Sequence, residues 1–256
     1  MAKYELEGLF SVKGKTAAIT GAAGILCGEM ALALADLGMK IAILDLREEA
    51  AAELAQKVKQ RGGEAMAVGC NVLKRESVEQ ACAKIVAAWG QVDCLINGAG
   101  GNRKDATTSP QTSFFDLPDE ALKFVFELNC IGTILPSQIF GRQMAQQKHG
   151  CIINISSMAA VRPLTNVIGY SAAKGAVSNF TQWLSVHLAQ NYSKDIRVNA
   201  IAPGFFLTEQ NRFLLTDEKS GELTARGKTI IGHTPAGRFG DPEDLISALV
   251  WLLGPG

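Results

Sequence analysis

A doubly wound α/β domain, one parallel sheet covered by helices on both faces, is predicted by three observations. Short apolar, β-branched runs alternate with helical stretches along nearly the whole chain. The connections are short, as parallel crossover units require. A glycine-rich turn joins the first such run to the first helix.

Thr16–Thr20 opens the pattern as a strand, and helix-like Glu29–Leu37 follows its Gly-rich turn. Lys40–Asp45 is the next strand, before the charged, amphipathic Glu48–Arg61. Glu64–Cys70 and Val92–Asn97 read as strands flanking a helix near Ser77–Trp89. Cys151–Ser156 and Ile196–Ile201 complete the strands, with a long helix at about Ser171–Asn191 between them. Another helix is expected at Leu245–Leu253. The absence of a linker or repeat makes residues 1–256 one domain. Phe205–Gly232 has no strand period and follows a strand's carboxyl end, where open sheets bind ligands, so it reads as a substrate lid.

The chain is 47% hydrophobic and 20% charged, enough apolar content for a packed core. Its 25 basic and 25 acidic residues cancel, which argues against nucleic acid or an anionic membrane as partner. With no apolar signal region or membrane-length run, a soluble cytoplasmic protein is expected. Cys27, Cys70, Cys82, Cys94, Cys130 and Cys151 form no Cys-x-x-Cys pair and read as small buried hydrophobes. His149, His187 and His233 lack ligand spacing, so no protein metal site is expected.

Thr20-Gly21-Ala22-Ala23-Gly24-Ile25-Leu26-Cys27-Gly28 lets the backbone approach a pyrophosphate and offers a helix N-terminus to it. Such a turn marks the Rossmann-type version of the doubly wound sheet. Asp45 ends the second strand, twenty-four residues after Gly21. Its carboxylate suits both ribose hydroxyls and repels a 2′-phosphate, favouring NAD over NADP. Arg47 weakens that preference, and Asp45 could alternatively cap the next helix.

Tyr170 and Lys174 are four residues apart, thirteen and seventeen after Ser157. On a helix they share one face. Free tyrosine titrates at about 10, so proton exchange near neutrality needs the phenolate favoured by roughly 4 kcal/mol. A lysine charge about 5 Å away supplies roughly 3 kcal/mol at an effective dielectric near 20, and a cationic cofactor ring could supply the rest.

Taken in order, the Thr20–Gly28 turn, Asn97-Gly98-Ala99-Gly100, Asn129, Ser157, Tyr170/Lys174, and Pro203-Gly204 before Thr208 resemble the short-chain dehydrogenase/reductase family from about Gly14 to Leu253. The resemblance implies that Tyr170 exchanges the proton at the substrate oxygen and Ser157 hydrogen-bonds that oxygen. It implies that Lys174 holds the nicotinamide ribose and depresses the Tyr170 pKa, and that Asn129 holds a water of the proton relay. Gly21, Gly24, Ile25 and Leu26 would face the phosphates. Asn71 and Val72 would meet the adenine. Asn97, Ala99 and Gly100 would pass beneath the cofactor, and Pro203, Gly204 and Thr208 would border it. Helices around Asn129–Gln146 and Ser171–Gln190, the second carrying Val177, Phe180, Trp183 and Leu184, would pair subunits into a homotetramer.

The chain departs from the family pattern in three places. Ile25 and Cys27 stand at the second and third glycine positions of Thr-Gly-x-x-x-Gly-x-Gly. Gly98 replaces the second asparagine of Asn-Asn-Ala-Gly. A last family strand and tail are expected beyond Gly256.

Asn97–Asn102, Phe205–Arg212 and the Ile25-Leu26-Cys27 variation are similar to the fructuronate reductase, or D-mannonate oxidoreductase, branch. That likeness implies a keto sugar acid as substrate. Such a molecule needs a cation for its carboxylate and amides for its hydroxyls. Asn102, Arg103, Lys104, Arg162, Asn166, Gln210, Asn211 and Arg212 are the candidates. A rim of Phe205, Phe206, Phe213 and Leu214 would instead suit a steroid or long acyl chain. Reduction of a 5-ketogluconate-type acid or an acyl-carrier ketone, and a non-catalytic nucleotide-sensing scaffold, stay open as alternatives.

Overall fold

The computed structural model describes residues 6–162, 164–208, 212–217 and 220–255. In chain order the principal elements are α1 (Leu6–Phe10), β1 (Thr16–Thr20), α2 (Ile25–Asp36), β2 (Lys40–Asp45), α3 (Glu48–Gln60) and β3 (Glu64–Gly69). Then come α4 (Arg75–Trp89), β4 (Cys94–Asn97), α5 (Asp119–Phe126), α6 (Gly132–Gln147) and β5 (Gly150–Ile155). The last are α7 (Ile168–Asn191), β6 (Ile196–Ile201), α8 (Arg212–Leu215), α9 (Ala225–Gly232) and α10 (Ile246–Leu253).

Among the described residues one sheet forms, in the order β3-β2-β1-β4-β5-β6, and every adjacent pair is parallel. The chain winds outward from β1 through β3, then returns to the centre at β4 and winds the other way. The resulting switch point lies between the carboxyl ends of β1 and β4, where open sheets bind ligands.

Strand alternation explains the two covered faces. Ala17, Ile19, Ile41 and Ile43 point to one core with α2, α3 and α10, through Met30, Leu34, Leu54, Val58 and Leu249. Ala18, Ala42, Leu44, Leu95 and Ile152 point to the other, against α4, α6 and α7, through Ile85, Leu135, Phe140, Met144 and Leu188. Both alternating sets are apolar because both faces are buried. Helix α3 shows the local logic: Ala51, Leu54, Ala55 and Val58 make its buried stripe, with Glu48 and Glu49 in its first turn and Lys57 and Lys59 in its last.

The expected strands appear within two residues of their predicted bounds. Helix α2 begins at Ile25 rather than Glu29, because the Gly28 amide already closes a helical turn on the Gly24 carbonyl at 2.7 Å. The segment from 205 to 232 is also more regular than expected: it contains α8 and α9, joined by a Thr216–Leu223 bridge. All six cysteines are free and buried, and burial pushes the thiols up, Cys70 to about 11. The stretch Asp119–Gln147 has the length and hydropathy of a membrane span. Here its apolar residues Val125, Leu135, Ile139 and Phe140 are buried in the protein core.

Candidate active site

The glycine turn is built for a close approach. Gly21 has φ of 64°, and a Cβ there would lie 2.7 Å from Ala99 Cα, so this position needs glycine twice over. Gly24 precedes α2, whose N-terminus has no side-chain cap. The first-turn amides, including those of Ile25 and Leu26, are therefore left for an anion. Asp45, 7% exposed, braces the turn: its Oδ2 accepts from Ala23 N at 3.0 Å and its Oδ1 from Arg47 N at 3.0 Å. Arg47 folds back to donate from Nη2 to the Ala23 carbonyl at 3.1 Å.

The departure at position 98 has a steric cause. A side chain on Gly98 would run into the Cys27 sulfur, which fills the space where the family pattern has an asparagine. The two deviations are thus one compensated exchange. Burial pushes the Cys27 thiol to about 12, so it packs as a neutral group.

After β3, Asn71 Oδ1 accepts from Leu73 N at 2.9 Å in a tight turn, and Val72 is buried against Gly132. The Asn97 side chain is turned into the protein interior. Its amide donates to Ser137 Oγ and Asn154 Oδ1, both at 2.9 Å, and Asn154 donates to Thr181 Oγ1 at 2.9 Å. Ser137 and Thr133 hydroxyls continue this buried polar column by donating to the Thr133 and Asn129 carbonyls, both at 2.8 Å.

Asn129 sits in a π-helical turn, Glu127–Ile131, which joins α5 to α6. Such wide turns occur often at functional sites. Its side chain is fully buried and clasps Gly101, accepting from the amide at 3.1 Å and donating to the carbonyl at 2.7 Å. Gly100 passes between Asn129 and Lys174: a Cβ there would lie 2.6 Å from Asn129 Oδ1 and 3.4 Å from Lys174 Nζ.

Ser157 follows β5; its Oγ accepts from Ala159 N at 3.1 Å and stands near enough to the Tyr170 phenol to influence its ionisation. Neighbouring Ser156 instead contacts Ser178 Oγ at 2.7 Å, which leaves Ser157 as the serine facing Tyr170. Lys174 is 4% exposed; its Nζ donates to the Ile155 carbonyl at 2.7 Å and lies 5.5 Å from the Tyr170 ring centre.

The expected depression of the Tyr170 pKa is not what the protein alone produces. Burial pushes the phenol above its ordinary value, and the neighbouring Ser157 hydroxyl only partly counters this. Lys174 is itself held down to about 8 by burial, with its ammonium turned to Ile155. Below pH 8 folding therefore carries the full cost of burying that charge, because folded and unfolded chains both hold the proton. Between 8 and 10.5 the unfolded chain binds more protons, so this contribution to stability rises with pH. The Tm of Lys174→Met minus that of wild type should be largest below pH 8 and shrink toward pH 10.5. A pH-independent difference in thermal melts would contradict this account.

The substrate candidates scatter. Asn102 bonds Thr107 Oγ1 at 2.8 Å. Arg103 is already engaged: its Nε donates to Asp105 at 2.9 Å and its guanidinium lies over Phe124. Lys104, Arg162 and Arg212 are exposed. Gln210 and Asn211 lie outside the described residues. Asn166 is the one brought into a cluster: its carbonyl accepts from Thr108 N at 3.0 Å, and its amide, oriented to satisfy its neighbours, accepts from Arg226 Nη1 at 3.0 Å. Sequence reasoning passed over Arg226 and Thr108, which are far from Asn166 in the chain. Pro203 accepts from Met158 N at 3.0 Å, Gly204 has open space around it, and the Thr208 carbonyl accepts from Arg212 N at 2.9 Å. Phe206 is 8% exposed and packed on Gly240, so it belongs to the core rather than to a rim.

A glycine turn at the switch point, facing a Ser157–Tyr170–Lys174 cluster across the same sheet edge, defines an oxidoreductase built on a nucleotide-binding fold. The chain belongs to the short chain dehydrogenase family, whose model matches residues 15–219. It is 46% identical to the uncharacterised oxidoreductase UxuB of Bacillus subtilis strain 168, over 94% of this chain and 88% of that one. It is 35% identical to the 5-keto-D-gluconate 5-reductase of Escherichia coli K12, over 95% and 90%. A Haemophilus influenza structure with bound NAD, provisionally named a D-mannonate oxidoreductase, superimposes with a TM-score of 0.89. That structure is 43% identical, with 98% of this chain and 91% of the other covered.

Proposed function

We propose that this oxidoreductase uses NAD to interconvert the ketone and alcohol of a sugar acid, with D-fructuronate and D-mannonate as the pair. The observation that carries the chemistry is the Tyr170 phenol beside Ser157, with the buried Lys174 ammonium 5.5 Å from its ring centre. Similarity to proteins named for D-mannonate and 5-keto-D-gluconate supports the substrate class. The buried Phe206 removes one side of the apolar rim that a steroid would need.

The residues present fit the dinucleotide. Gly21 keeps the turn open, the uncapped α2 N-terminus suits the pyrophosphate, and Asp45 stands beside the turn to accept from ribose hydroxyls and repel a 2′-phosphate. When bound, the nicotinamide supplies hydride exchange and, oxidised, a positive ring. In the reduction direction Ser157 donates to the developing alkoxide and Tyr170 gives it a proton. Lys174 orients the ribose and makes phenolate tolerable in a site where burial alone opposes it. Asn129, held on Gly101, fixes the floor next to Lys174 and continues the relay. Residues 205–232, with α8 and α9, are the lid of this reading. Trp183, 57% exposed on α7, fits a subunit contact in a homotetramer, whereas Val177 and Leu184 serve the protomer's own core.

NADH oxidation with fructuronate, beside 5-ketogluconate and with NADPH as control, tests the proposal. Fast turnover of fructuronate with NADH is expected. Activity only on an unrelated ketone would leave the chemistry standing and discard the substrate.

A further inference from the structure

We propose that Arg226 binds the substrate carboxylate and is the specificity-determining residue of the site. The cavity beside it then takes the polyhydroxylated chain. This rests on the sugar-acid reading above and assigns the group that performs the discrimination.

Arg226 lies in the first turn of α9, within the segment that follows β6. It is half-buried and reaches across to Asn166, four residues before Tyr170. Its partner there is an amide oxygen at 3.0 Å, not a carboxylate. A neutral acceptor leaves the guanidinium charge uncompensated, and one hydrogen bond leaves most of its five donors available. The other arginines near this edge differ. Arg47 is turned to Asp45, Arg103 to Asp105, and Arg238 to Asp241 and Asp244. Arg162 and Arg212 are exposed without a bond that fixes their direction toward Asn166. Arg226 is therefore the oriented, half-desolvated cation at the entrance to the tyrosine helix, and its planar fork matches a carboxylate.

The second observation is the cavity around its partner. A hollow of about 510 Å³ is lined by Thr108, Thr112, Thr165, Asn166, Phe114 and Ile168. Ile168 is the first residue of α7, the helix that carries Tyr170, and Asn166, which bonds Arg226, lies in the same wall. Hydroxyls and an amide on its wall can donate or accept, as recognition of a chain of alcohols requires, and the Phe114 and Ile168 side chains offer apolar faces to its C–H edges. The Thr108 amide donates to the Asn166 carbonyl at 3.0 Å, which ties the wall to the loop that holds Arg226.

The test uses the full chain as Arg226→Gln and Arg226→Lys, with NADH and three ketones: fructuronate, 5-ketogluconate and fructose, the last carrying a hydroxymethyl group where fructuronate has its carboxylate. Arg226→Gln should raise KM for both acids by about 30-fold or more, the scale of an unpaired charge contact. Its kcat, Tm and NADH affinity should stay near wild type, and KM for fructose should not move. Arg226→Lys should recover part of the loss. An unchanged KM for the acids overturns the assignment, as does an equal rise for acids and fructose, which would make Arg226 only a strut between α9 and Asn166. Wild-type protein that prefers a neutral ketone to either acid overturns the sugar-acid reading itself, and this assignment with it.

Discussion

Replacing Tyr170 by phenylalanine should lower turnover by about 100- to 10,000-fold, the range that a positioned general acid contributes. The ring stays, so packing against Ala106, Val125 and Leu122 is kept. Only the hydroxyl that meets Ser157 is lost. NADH affinity, read by fluorescence titration, should hardly change, because Tyr170 would act on the substrate oxygen and Lys174 on the ribose. The pH profile adds a second readout. Burial holds the phenol above its ordinary value, so its acidification would come from the Lys174 charge together with a positive cofactor ring. The oxidation direction, in which the ionised phenol would accept the proton, should gain rate as pH rises. Full turnover by Tyr170→Phe would remove Tyr170 from the proton path.

Gly98→Asn should strongly destabilise the protein. Its side chain would have to enter space held by the Cys27 sulfur, beside the Thr20 carbonyl. Overpacking of this kind costs about 1–3 kcal/mol, and each kcal/mol lowers Tm by roughly 2–4 °C in a chain of this size. NADH affinity should fall with it, since Gly98 donates to both Thr20 O and Thr20 Oγ1 at 3.2 and 3.1 Å in the cofactor floor. Cys27→Gly alone also destabilises, by emptying a buried site and placing glycine in a helix. The double variant should nevertheless be more stable than Gly98→Asn. Thermal melts of the four proteins measure the coupling, and strictly additive losses would defeat the idea of a compensated pair.

The strands were legible because both faces of the sheet are buried, which writes each strand as a short apolar run with turn residues after it. The reacting residues were legible because Tyr170 and Lys174 lie four apart on one helix and Ser157 a fixed distance before. Features made across long chain separations were not. Nothing local in Ile25-Leu26-Cys27 or in Gly98 announces that one sulfur replaces an asparagine seventy-one residues away. The start of α2 was placed late because Gly28 reads as turn, although a helix tolerates it at modest cost. The π turn at Asn129 leaves no periodic signature in five residues. Arg226 sits in a stretch without strand period, and only its reach to Asn166, sixty residues earlier, marks it.

The buried column from Asn129 through Thr133, Ser137, Asn97 and Asn154 to Thr181 bears on how such a protein diversifies. Each of these polar groups is sealed from water, and stranding one partner costs about 1–3 kcal/mol. These residues can therefore be exchanged without such a loss only in matched sets. The cavity walls at Thr112 and Thr165 carry no such mutual debt and can change one residue at a time. The interior thus acts as a fixed chassis, and the rim is where single changes cost the fold least.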